Sequence, residues 1–415
     1  MLNPRALFLP SYRGLQRFVV KPLISKSLLK RQTNEKFSEI LPKNSNQTRI
    51  WYHAASAGEL ESLWPLIESS AQSGQEIIVT VFSPSALRGL KKLQDSLRTQ
   101  SAKLIFSGFS PWEGEWKEVF QKVRPDAFIT YKYEAWPDLW ISAAEEEIPI
   151  VIVGARPRTS LNVARRVCEL FLGKLPRLLF LPFQQTDQLG LQNSFPNSSL
   201  EIVGDPRWER VLARSKLGSP RAKELLDRFA LMPRPWGVMG SVWQQDLEFW
   251  KNSISEVKGA LWVVPHCTDS ESIEKIESFL LELGLKPVRS SNSPFTEKTQ
   301  CILVDEMGIL AELYSQADWA YVGGGFHAGV HSTIEPAIYG VPISIGPKRA
   351  HQFAEIEEMC QSGQVTLLQE EKDLTEWARR LNSHEFSSQK SVWMEQAFQR
   401  VQNSQKIGAA IENFI

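Results

Sequence analysis

Short apolar runs rich in β-branched and aromatic residues alternate with longer stretches of helical spacing along most of this chain. This alternation is typical of βαβ units, which form a parallel sheet covered by helices on both faces. A first series has candidate strands at residues 49–53, 76–82, 103–106, 126–131 and 149–153. A second series has candidate strands at residues 236–240, 260–264, 286–289, 300–304, 319–322 and 342–345. The pattern predicts two doubly wound α/β domains of similar size.

The two series set the predicted domain boundaries. Residues 32–205 would form the first Rossmann-like domain and residues 236–390 the second, which suits a chain of 415 residues. Residues 206–235, rich in proline and charge, would form a linker with one or two helices. Residues 391–415 are expected to form one amphipathic helix that packs back on the first domain. Ligands of doubly wound sheets bind beyond the carboxyl ends of the strands, so we expect the active site where the two domains face each other across a cleft.

Composition excludes several classes of protein. The chain is 42% hydrophobic and 23% charged, as soluble globular proteins are, and no apolar run reaches the roughly 18 residues that span a bilayer. Lysine plus arginine and aspartate plus glutamate both number 47, so the basic excess of a nucleic-acid-binding protein is absent. The four cysteines form no C-x-x-C pair, which indicates reduced thiols rather than a disulfide framework or a zinc site. We expect a cytosolic protein that binds no nucleic acid.

The balanced charge hides a basic arm, residues 1–31, which has no acidic residue. Its cations are Arg5, Arg13, Arg17, Lys21, Lys26, Lys30 and Arg31. Leucine, isoleucine and phenylalanine are interleaved with them, as in segments that lie in a membrane interface and are attracted to anionic lipid. Pro22 excludes a single long helix. The sequence predicts a membrane-associating arm; the alternative is a basic arm packed on its own domain.

A candidate catalytic segment, W-Y-H-A-A-S-A-G-E at residues 51–59, runs from a predicted strand through small residues into a helix. Ser56 and Glu59 have the S-x-x-E spacing of a capping box, in which the glutamate bonds back to the helix N-terminus. In the second interpretation Glu59 is a general base that takes a proton from an acceptor hydroxyl. Small residues such as Gly58 would then allow a substrate to approach the backbone.

A candidate phosphate-binding segment, Y-V-G-G-G-F at residues 321–326, places three glycines after a strand and before a predicted helix start. Backbone amides at Gly324 and Gly325 are suited to hold a phosphate, aided by the helix dipole. Glu335 would accept both hydroxyls of a ribose, although Ser332 and Glu335 also have capping-box spacing. The chain has no G-x-G-x-x-G after an early strand, no P-loop lysine motif and no D-x-D. Dinucleotides, ATP and a metal are therefore disfavoured, and we expect no cofactor.

Five motifs in order give the chain a resemblance to the Kdo transferases, which move 3-deoxy-D-manno-octulosonic acid (Kdo) from CMP-Kdo onto a lipid A precursor. Residues 51–59 resemble the family's W-x-H-x-x-S-x-G-E, and residues 134–138 resemble its E-x-W-P-N. Residues 307–314 resemble M-G-x-L…Y, and residues 323–336 resemble G-G-S…G-G-H-N-x-x-E-P. Gly346-Pro347 with Phe353 resembles G-P-x-x-x-N-F. The ordered set is specific and covers nearly the whole chain.

The resemblance implies a GT-B fold, with two Rossmann-like domains, and a role for each matching residue. Glu59 would be the general base and Glu335 the carboxylate that holds the CMP ribose. The other donor-binding positions would be Ser241, His266, Met307, Gly308, Gly324, Gly325, His331 and Ser332. The acceptor-binding positions would be Ser56, Gly58, Glu134, Arg156 and Arg158. The two arginines are suited to bidentate contacts with acceptor phosphates; the alternative is that they are simply solvated.

Several positions depart from the family's motifs. Lys132 stands where E-T-E-x-W-P has its first acid, Gly154 replaces the asparagine of N-x-R, and His266 lacks the preceding arginine of P-R-H. The remaining departures are residues 204–209 (G-D-P-R-W-E for G-N-x-K-x-D), residues 241–246 (S-V-W-Q-Q-D for S-x-H-x-G-E), Gly325 and Ser332. They affect the identity of the sugar and the acceptor more than the fold or the reaction type.

We therefore expect an inverting glycosyltransferase that moves Kdo from CMP-Kdo onto a lipid A precursor in lipopolysaccharide biosynthesis. Its partners would be a CMP-sugar donor, the lipid acceptor and an anionic membrane surface, at the cytoplasmic face of the inner membrane. One alternative is a GT-B transferase that uses another nucleotide sugar in envelope synthesis. The other is a non-catalytic nucleotide-binding relative, against which the presence of both Glu59 and Glu335 argues.

Overall fold

The computed structural model describes residues 8–16, 37, 40, 43, 47–132, 134–254, 258–291, 299–383, 385–401 and 403–415. The chain divides into two compact units. The first unit is Met1–Arg210 with Gln402–Ile415, and the second is Val211–Val401. Each unit contains a seven-stranded sheet in which every described pair of neighbouring strands is parallel.

The elements follow one another in βα order. The strands are β1 (Arg49–Ala54), β2 (Glu76–Val81), β3 (Lys103–Phe109), β4 (Ala127–Tyr131), β5 (Ile150–Val153), β6 (Leu178–Leu181), β7 (Ser199–Leu200), β8 (Trp236–Val242), β9 (Ala260–Pro265), β10 (Pro287–Arg289), β11 (Cys301–Leu303), β12 (Trp319–Val322), β13 (Ile343–Ile345) and β14 (Val365–Leu367). The helices are α1 (Leu9–Leu15), α2 (Ala57–Gln72), α3 (Leu87–Thr99), α4 (Trp116–Val123), α5 (Pro137–Glu145), α6 (Thr159–Leu172), α7 (Gln185–Ser194), α8 (Arg207–Leu217), α9 (Pro220–Arg228), α10 (Gln244–Trp250), α11 (Ser270–Glu282), α12 (Leu310–Ser315), α13 (Ile334–Ala337), α14 (Ala354–Gln361), α15 (Glu371–Asn382), α16 (Lys390–Gln399) and α17 (Asn403–Phe414).

The sheet of the first unit has the order β3-β2-β1-β4-β5-β6-β7. Strand order reverses between β1 and β4, so the loops after these two strands diverge and leave a crevice of the kind in which doubly wound sheets bind ligands. All six residues of β1 are buried, as expected for a central strand covered on both faces. Trp51 packs among Trp116 and Phe128 on one face, and Tyr52 lies in the apolar cluster of the other face.

The sheet of the second unit has the order β10-β11-β9-β8-β12-β13-β14. Its reversal point lies between β8 and β12, which pair in parallel from Trp319–Gly237 to Val322–Gly240. The residues that follow these two strands therefore emerge side by side at the carboxyl edge of the sheet. The prediction of two Rossmann-like α/β domains is confirmed.

The described part of the basic arm packs on its own unit. Residues 1–7 and 17–31, which carry six of its seven cations, lie outside the described residues. Arg13 in α1 donates to Asp138 (Nε–Oδ1, 2.6 Å) and Glu145 (Nη2–Oε2, 2.6 Å) of α5. Leu9 is buried and the ring of Tyr12 lies 5.3 Å from that of Phe171. For residues 9–15 the structure thus favours the alternative of an arm packed on its own domain.

The prediction of one helix over residues 391–415 was wrong. α16 belongs to the second unit, where Trp393 and Ala397 are buried, and α17 belongs to the first, where Ile407 and Ile411 join the core. α16 ends at Gln399 and α17 begins at Asn403, so the stretch contains two helices that pack on different units. The predicted linker is mostly helical, and the boundary between the units falls inside α8 rather than in a loop.

Among the helices of the described residues, none combines the length and the apolarity needed to cross a bilayer.

Candidate active site

Glu59 lies at the start of α2, directly beyond β1. Ser56 is the N-cap, and its Oγ accepts a bond from the Glu59 amide at 3.4 Å. The carboxylate turns back, and its Oε2 accepts a bond from the Ala55 amide at 2.6 Å. The capping interaction predicted from S-x-x-E is therefore formed, although the carboxylate reaches the residue before the cap. Gly58 is exposed and adds no side chain in front of Glu59.

The surroundings of Glu59 disfavour its ionised form. Burial raises its pKa to about 7, and the nearby Glu134 carboxylate adds to this, against the bond from Ala55 and the charge of Lys132. A carboxylate with such a pKa is about half ionised at neutral pH, which suits a general base. Capping and basicity are therefore compatible, because the cap occupies one oxygen and leaves the group able to titrate.

Glu134, which follows β4, is the charged neighbour of Glu59. It is 8% exposed, accepts a bond from the indole Nε1 of Trp136, and lies 3.6 Å from His53 Nε2 through its Oε2. Burial opposes ionisation, but the interactions with His53 and Trp136 outweigh it, so the pKa of Glu134 lies below its ordinary value. Two neighbouring carboxylates whose pKa values are pushed apart are a common feature of acid–base sites. His53 was not among the predicted site residues.

The loops after β4 and β5 pack tightly against one another. Lys132 has the left-handed φ of +54°, and its amide donates to Val153 O at 2.9 Å. Gly154, with φ of +65°, has no room for a side chain, since an added Cβ would lie 2.9 Å from the ring of Phe183 and 3.3 Å from Lys132 Cγ. Gly154 stands where the resembled family has asparagine, and it fits the close approach of Phe183 and Lys132 because it has no side chain.

The two predicted acceptor arginines follow Gly154. Arg156 is partly exposed, and its Nε lies 3.0 Å from Asp187 Oδ2 at the start of α7. Arg158 is exposed at the N-cap of α6. Asp187 thus orients one guanidinium at the carboxyl edge of the sheet, next in strand order to the loop that carries Glu134.

The three glycines after β12 are required by close packing of backbone on backbone. An added Cβ at Gly323 would lie 2.4 Å from Ser241 O, and one at Gly325 would lie 2.5 Å from Gly346 Cα. At Gly324 the φ of +89° and the 2.3 Å approach of Gly329 O exclude a side chain. Ser241 itself has φ of +54° at a β-bulge in β8. The triplet is therefore explained by packing before any ligand is considered.

Asp246 is the charged centre of this region, and the sequence prediction missed it. It is fully buried and accepts bonds from the amides of Trp243 and Gly324, each at 2.8 Å, and from Tyr321 Oη at 2.7 Å. The Gly324 amide is thus engaged by Asp246, which leaves Gly325 as the amide suited to a ligand. The signal in the sequence was an aspartate three residues after Trp243, at the start of a helix.

The helix predicted beyond the glycines, with Glu335 in its first turn, is present but short. Residues 325–328 form a turn, residues 329–332 have no regular secondary structure, and α13 is a single turn that begins at Ile334. Its N-cap is Thr333, without a side-chain bond, and Ser332 is exposed, so the predicted Ser332–Glu335 capping box is not formed. Before this helix the Val330 amide donates to Lys348 O at 3.2 Å. A long helix dipole therefore does not support the glycine loop.

Four aromatic rings stack beyond β8, β9 and β12. His266 lies 4.6 Å from Trp243 and 4.5 Å from His331 between ring centroids, and His327 lies 4.5 Å from Trp243. Burial lowers the pKa of both His266 and His331, and the neighbouring histidine adds to the effect. These two rings are therefore neutral at neutral pH, when they offer polar nitrogens and flat faces rather than positive charge.

The remaining predicted donor residues lie on neighbouring segments of the second unit. Glu335 is partly exposed, and its Oε1 lies 4.0 Å from Nη1 of Arg214. Met307 is 73% exposed, and Gly308 has φ of +89° just before α12. The structure thus brings Ser241, Gly324, Gly325, His266 and His331 together around the glycine loop. Within the described residues no group of histidines, cysteines and acids is arranged to hold a metal ion.

Two Rossmann-like units, each with polar side chains gathered where strand order reverses, define a GT-B-type protein. Solved structures agree at the level of fold. A UDP-GlcNAc 2-epimerase from Neisseria meningitidis, solved with UDP-GlcNAc, superposes with a TM-score of 0.55 at 13% identity, over 88% of this chain and 100% of its own. One from Methanocaldococcus jannaschii superposes with a TM-score of 0.54 at 14% identity, over 79% and 91%.

Sequence comparison is more specific. Residues 31–209 match the family model of 3-deoxy-D-manno-octulosonic-acid transferase (kdotransferase). A bifunctional glycosyltransferase/methyltransferase of Fusobacterium nucleatum is 26% identical over 82% of this chain, which spans 52% of that protein. A 3-deoxy-D-manno-octulosonic acid transferase of Aquifex aeolicus is 25% identical over 79% of this chain and 84% of its own. The chain is thus similar to Kdo transferases, through the family model over residues 31–209 and through relatives that align with most of its length.

Proposed function

We propose that this protein is an inverting glycosyltransferase that moves Kdo from CMP-Kdo onto a lipid A precursor in lipopolysaccharide biosynthesis. The observation that carries the proposal is the position of Glu59 at the switch point of the first unit. There it combines a pKa of about 7 with an ionised carboxylate beside it, in a chain whose relatives are named Kdo transferases.

In the proposed reaction Glu59 takes the proton of an acceptor hydroxyl. The freed oxygen attacks the anomeric carbon of the sugar, the bond to the CMP phosphate breaks, and the configuration at that carbon inverts. Negative charge develops on the departing phosphate, so a preorganised backbone amide is effective there. Gly325 is the residue we assign to this role, because the Gly324 amide already donates to Asp246.

The donor would bind to the second unit. Glu335 would accept the ribose hydroxyls, and Ser241, His266, His331 and Ser332 would surround the phosphate and sugar. Met307 and Gly308 would form the turn on the donor side. Neutral His266 and His331 are suited to hydrogen bonds with the sugar hydroxyls and carboxylate, for which a permanent positive charge is not required.

The acceptor would bind to the first unit, at the cytoplasmic face of the inner membrane. Ser56, Gly58 and Glu134 would line the sugar, while Arg156 and Arg158 would contact acceptor phosphates. The basic arm would keep the protein at an anionic surface, where each cation contributes about 1 kcal/mol at most. Deleting residues 1–7, before the packed helix α1, should weaken sedimentation with anionic vesicles; unchanged binding would remove residues 1–7 from the membrane contact.

The test is product analysis by mass spectrometry with CMP-Kdo and a lipid A precursor. The expected result is an acceptor heavier by one or more Kdo residues, together with released CMP. A panel of CMP-, UDP- and GDP-sugars distinguishes this proposal from a GT-B transferase with another donor. Binding of a nucleotide without any product in the whole panel would instead indicate a non-catalytic relative.

A further inference from the structure

A buried polar chain leads from the core of the first unit to the carboxyl end of β4. Trp51 Nε1 donates to Thr80 Oγ1 at 2.8 Å, and this oxygen lies 3.0 Å from His53 Nδ1. On the other side of the ring, His53 Nε2 lies 3.6 Å from Glu134 Oε2. Trp51, Thr80 and His53 are at most 1% exposed. Water does not reach these groups, so their hydrogens must find acceptors within the chain.

The hydrogens can be assigned from this geometry. The Thr80 hydroxyl accepts the indole hydrogen of Trp51 and has one hydrogen of its own to donate. His53 Nδ1 is the acceptor that the structure describes for it. Because a buried hydroxyl strongly favours a partner, Nδ1 is left without a proton. The neutral imidazole then carries its proton on Nε2, which is directed toward Glu134.

Aromatic neighbours hold the ring in place. The imidazole stacks on Phe128, with centroids 5.8 Å apart and an angle of 28°, and meets Trp116 at 80°. A 180° flip of the His53 ring would place Cδ2 instead of Nδ1 beside Thr80 Oγ1, and the hydrogen bond between them would be lost. Among the described residues Nε2 has no hydrogen-bond partner within 3.5 Å, which leaves Glu134, just beyond that distance, as its acceptor.

We propose that His53 is a positioning residue, neutral and protonated on Nε2, whose bond to Glu134 shortens in the substrate complex and keeps that carboxylate ionised beside Glu59. Active-site hydrogen bonds are often long without substrate and tighten when it binds. His53 touches neither donor nor acceptor in this scheme and acts only through Glu134. The catalytic consequence rests on the proposed function, because it takes Glu59 as the base.

The charges that face Glu59 explain how His53 would affect the reaction. Glu134 raises the pKa of Glu59 and Lys132 lowers it. If Glu134 lost the hydrogen bond from His53 and kept only that from Trp136, its own pKa would rise. Its negative charge would then oppose that of Lys132 less fully, so the pKa of Glu59 would fall. A lower pKa makes Glu59 a weaker base.

The first experiment measures the tautomer directly. The full chain, labelled with ¹⁵N-histidine, would be examined by ¹H–¹⁵N spectroscopy between pH 6 and 8, with His53 assigned by its absence in His53→Gln. We expect a bare Nδ1 and a protonated Nε2. His351→Gln, at an exposed position, is the control for the assignment. A protonated Nδ1, in the neutral ring or in an imidazolium, would overturn the proposal.

The second experiment measures the pH profile of kcat/KM for transfer. In His53→Leu we expect the acidic limb to move to lower pH by about one unit and the plateau rate above that limb to fall by no more than about tenfold. His53→Gln, whose side-chain amide can still donate near the Nε2 position, should keep the acidic limb of the parent protein. An unmoved limb in folded His53→Leu, or equal shifts in both variants, would contradict the proposal.

Two further variants separate the failures. Thr80→Val removes the hydroxyl but keeps the imidazole and Glu134, so we expect the proton to remain on Nε2. Movement of the proton to Nδ1 in Thr80→Val would contradict the bond from Nε2 to Glu134. If Glu59→Gln transfers Kdo at the normal rate, Glu59 is not the base, yet the tautomer measurement still decides the role of His53 toward Glu134. If the parent protein transfers no Kdo, the proposed function is wrong, and the tautomer measurement is again unaffected.

Discussion

At the switch point of the first unit the carboxylate of Glu59 is partly exposed and accepts one backbone bond, whereas at that of the second the carboxylate of Asp246 is fully buried and accepts three bonds. Both acids occupy the third position of the helix that follows the central strand, β1 or β8. The same place in the fold therefore holds a group able to exchange a proton in one unit and a structural anchor in the other.

The number of donors that reach the carboxylate explains the difference. Asp246 has amide and phenol donors on its two oxygens, which tie β12 and the glycine loop to the start of α10. Glu59 has one such bond, and burial beside Glu134 works against its charge. The topology of the sheet thus determines the position of the acid. The number of hydrogen-bond donors to its carboxylate determines whether the group can take up a proton or instead holds the surrounding backbone in place.

The largest expected effect is on turnover in Glu59→Gln. Glutamine still accepts the Ala55 bond but takes no proton at neutral pH, so we expect transfer to fall at least about a hundredfold with a near-native melting temperature and CMP affinity. Steady-state rates and thermal melts check this. Asp373→Asn makes the same acid-to-amide change at the start of α15 and should leave the rate unchanged. Normal turnover with a lowered melting temperature would make Glu59 structural.

Among these variants, Asp246→Ala should cause the largest loss in the free energy of unfolding. It leaves two amides and a phenol unpaired in a buried place, and each such group costs about 1–3 kcal/mol, so we expect the free energy of unfolding to fall by about 3 kcal/mol or more. Urea unfolding followed by tryptophan fluorescence measures it. Asp269→Ala removes an exposed N-cap carboxylate from α11 and should cost much less. Equal losses would mean that Asp246 is not an anchor.

Glu335→Ala tests the donor side of the comparison. Loss of charged hydrogen bonds to a ribose typically costs about 1.5–3 kcal/mol, so CMP affinity should weaken roughly tenfold to a hundredfold. Calorimetry with CMP measures this, and Glu248→Ala, which removes an exposed acid from α10, controls for the change in charge. With no capping box at α13, an unchanged affinity would leave Glu335 with no role in the proposed site.

The smallest expected effect is a dependence of stability on pH. Burial raises the pKa of Glu59 from 4.5 to about 7, so the stability that protonated Glu59 contributes is present below pH 4.5 and is lost as the pH rises through 7. Glutamine has no proton to lose. The melting temperature of Glu59→Gln should therefore rise relative to that of the parent protein as the pH increases from 5 to 8. A constant difference would mean that the pKa is not raised in the folded protein.

Most of the strands that were predicted are apolar runs that stand out from their flanks, although the strand predicted at residues 286–289 is not. β6 was missed because its four residues are leucine and phenylalanine between prolines 176 and 182, without β-branched residues. β7, which has two residues, and β14, which has three, are the edge strands of the two sheets that were also missed. They form because a neighbouring strand already supplies bonding groups, and a local pattern does not contain that information.

The candidate site divides in the same way. Glu59 and its cap were predictable because five consecutive positions, residues 55–59, contain the whole interaction. Asp246 was not, because two of its donors, Tyr321 and Gly324, are more than seventy residues away. The glycine triplet was interpreted as a ligand loop because its real neighbours, Ser241 and Gly346, come from other loops. The spacing of residues along the chain predicts bonds between neighbours in sequence. Contacts between residues that are far apart in sequence are seen only in the folded unit.

The placement of α17 has a consequence for synthesis. Its residues Ile407, Ala410 and Ile411 complete the core of the first unit, beside α2 and β1, yet they follow all of residues 211–401. A ribosome therefore produces the entire second unit before the first can close. Throughout that interval the nascent chain carries an uncovered apolar groove along α2, and the first sheet reaches its final stability only after the last helix has emerged.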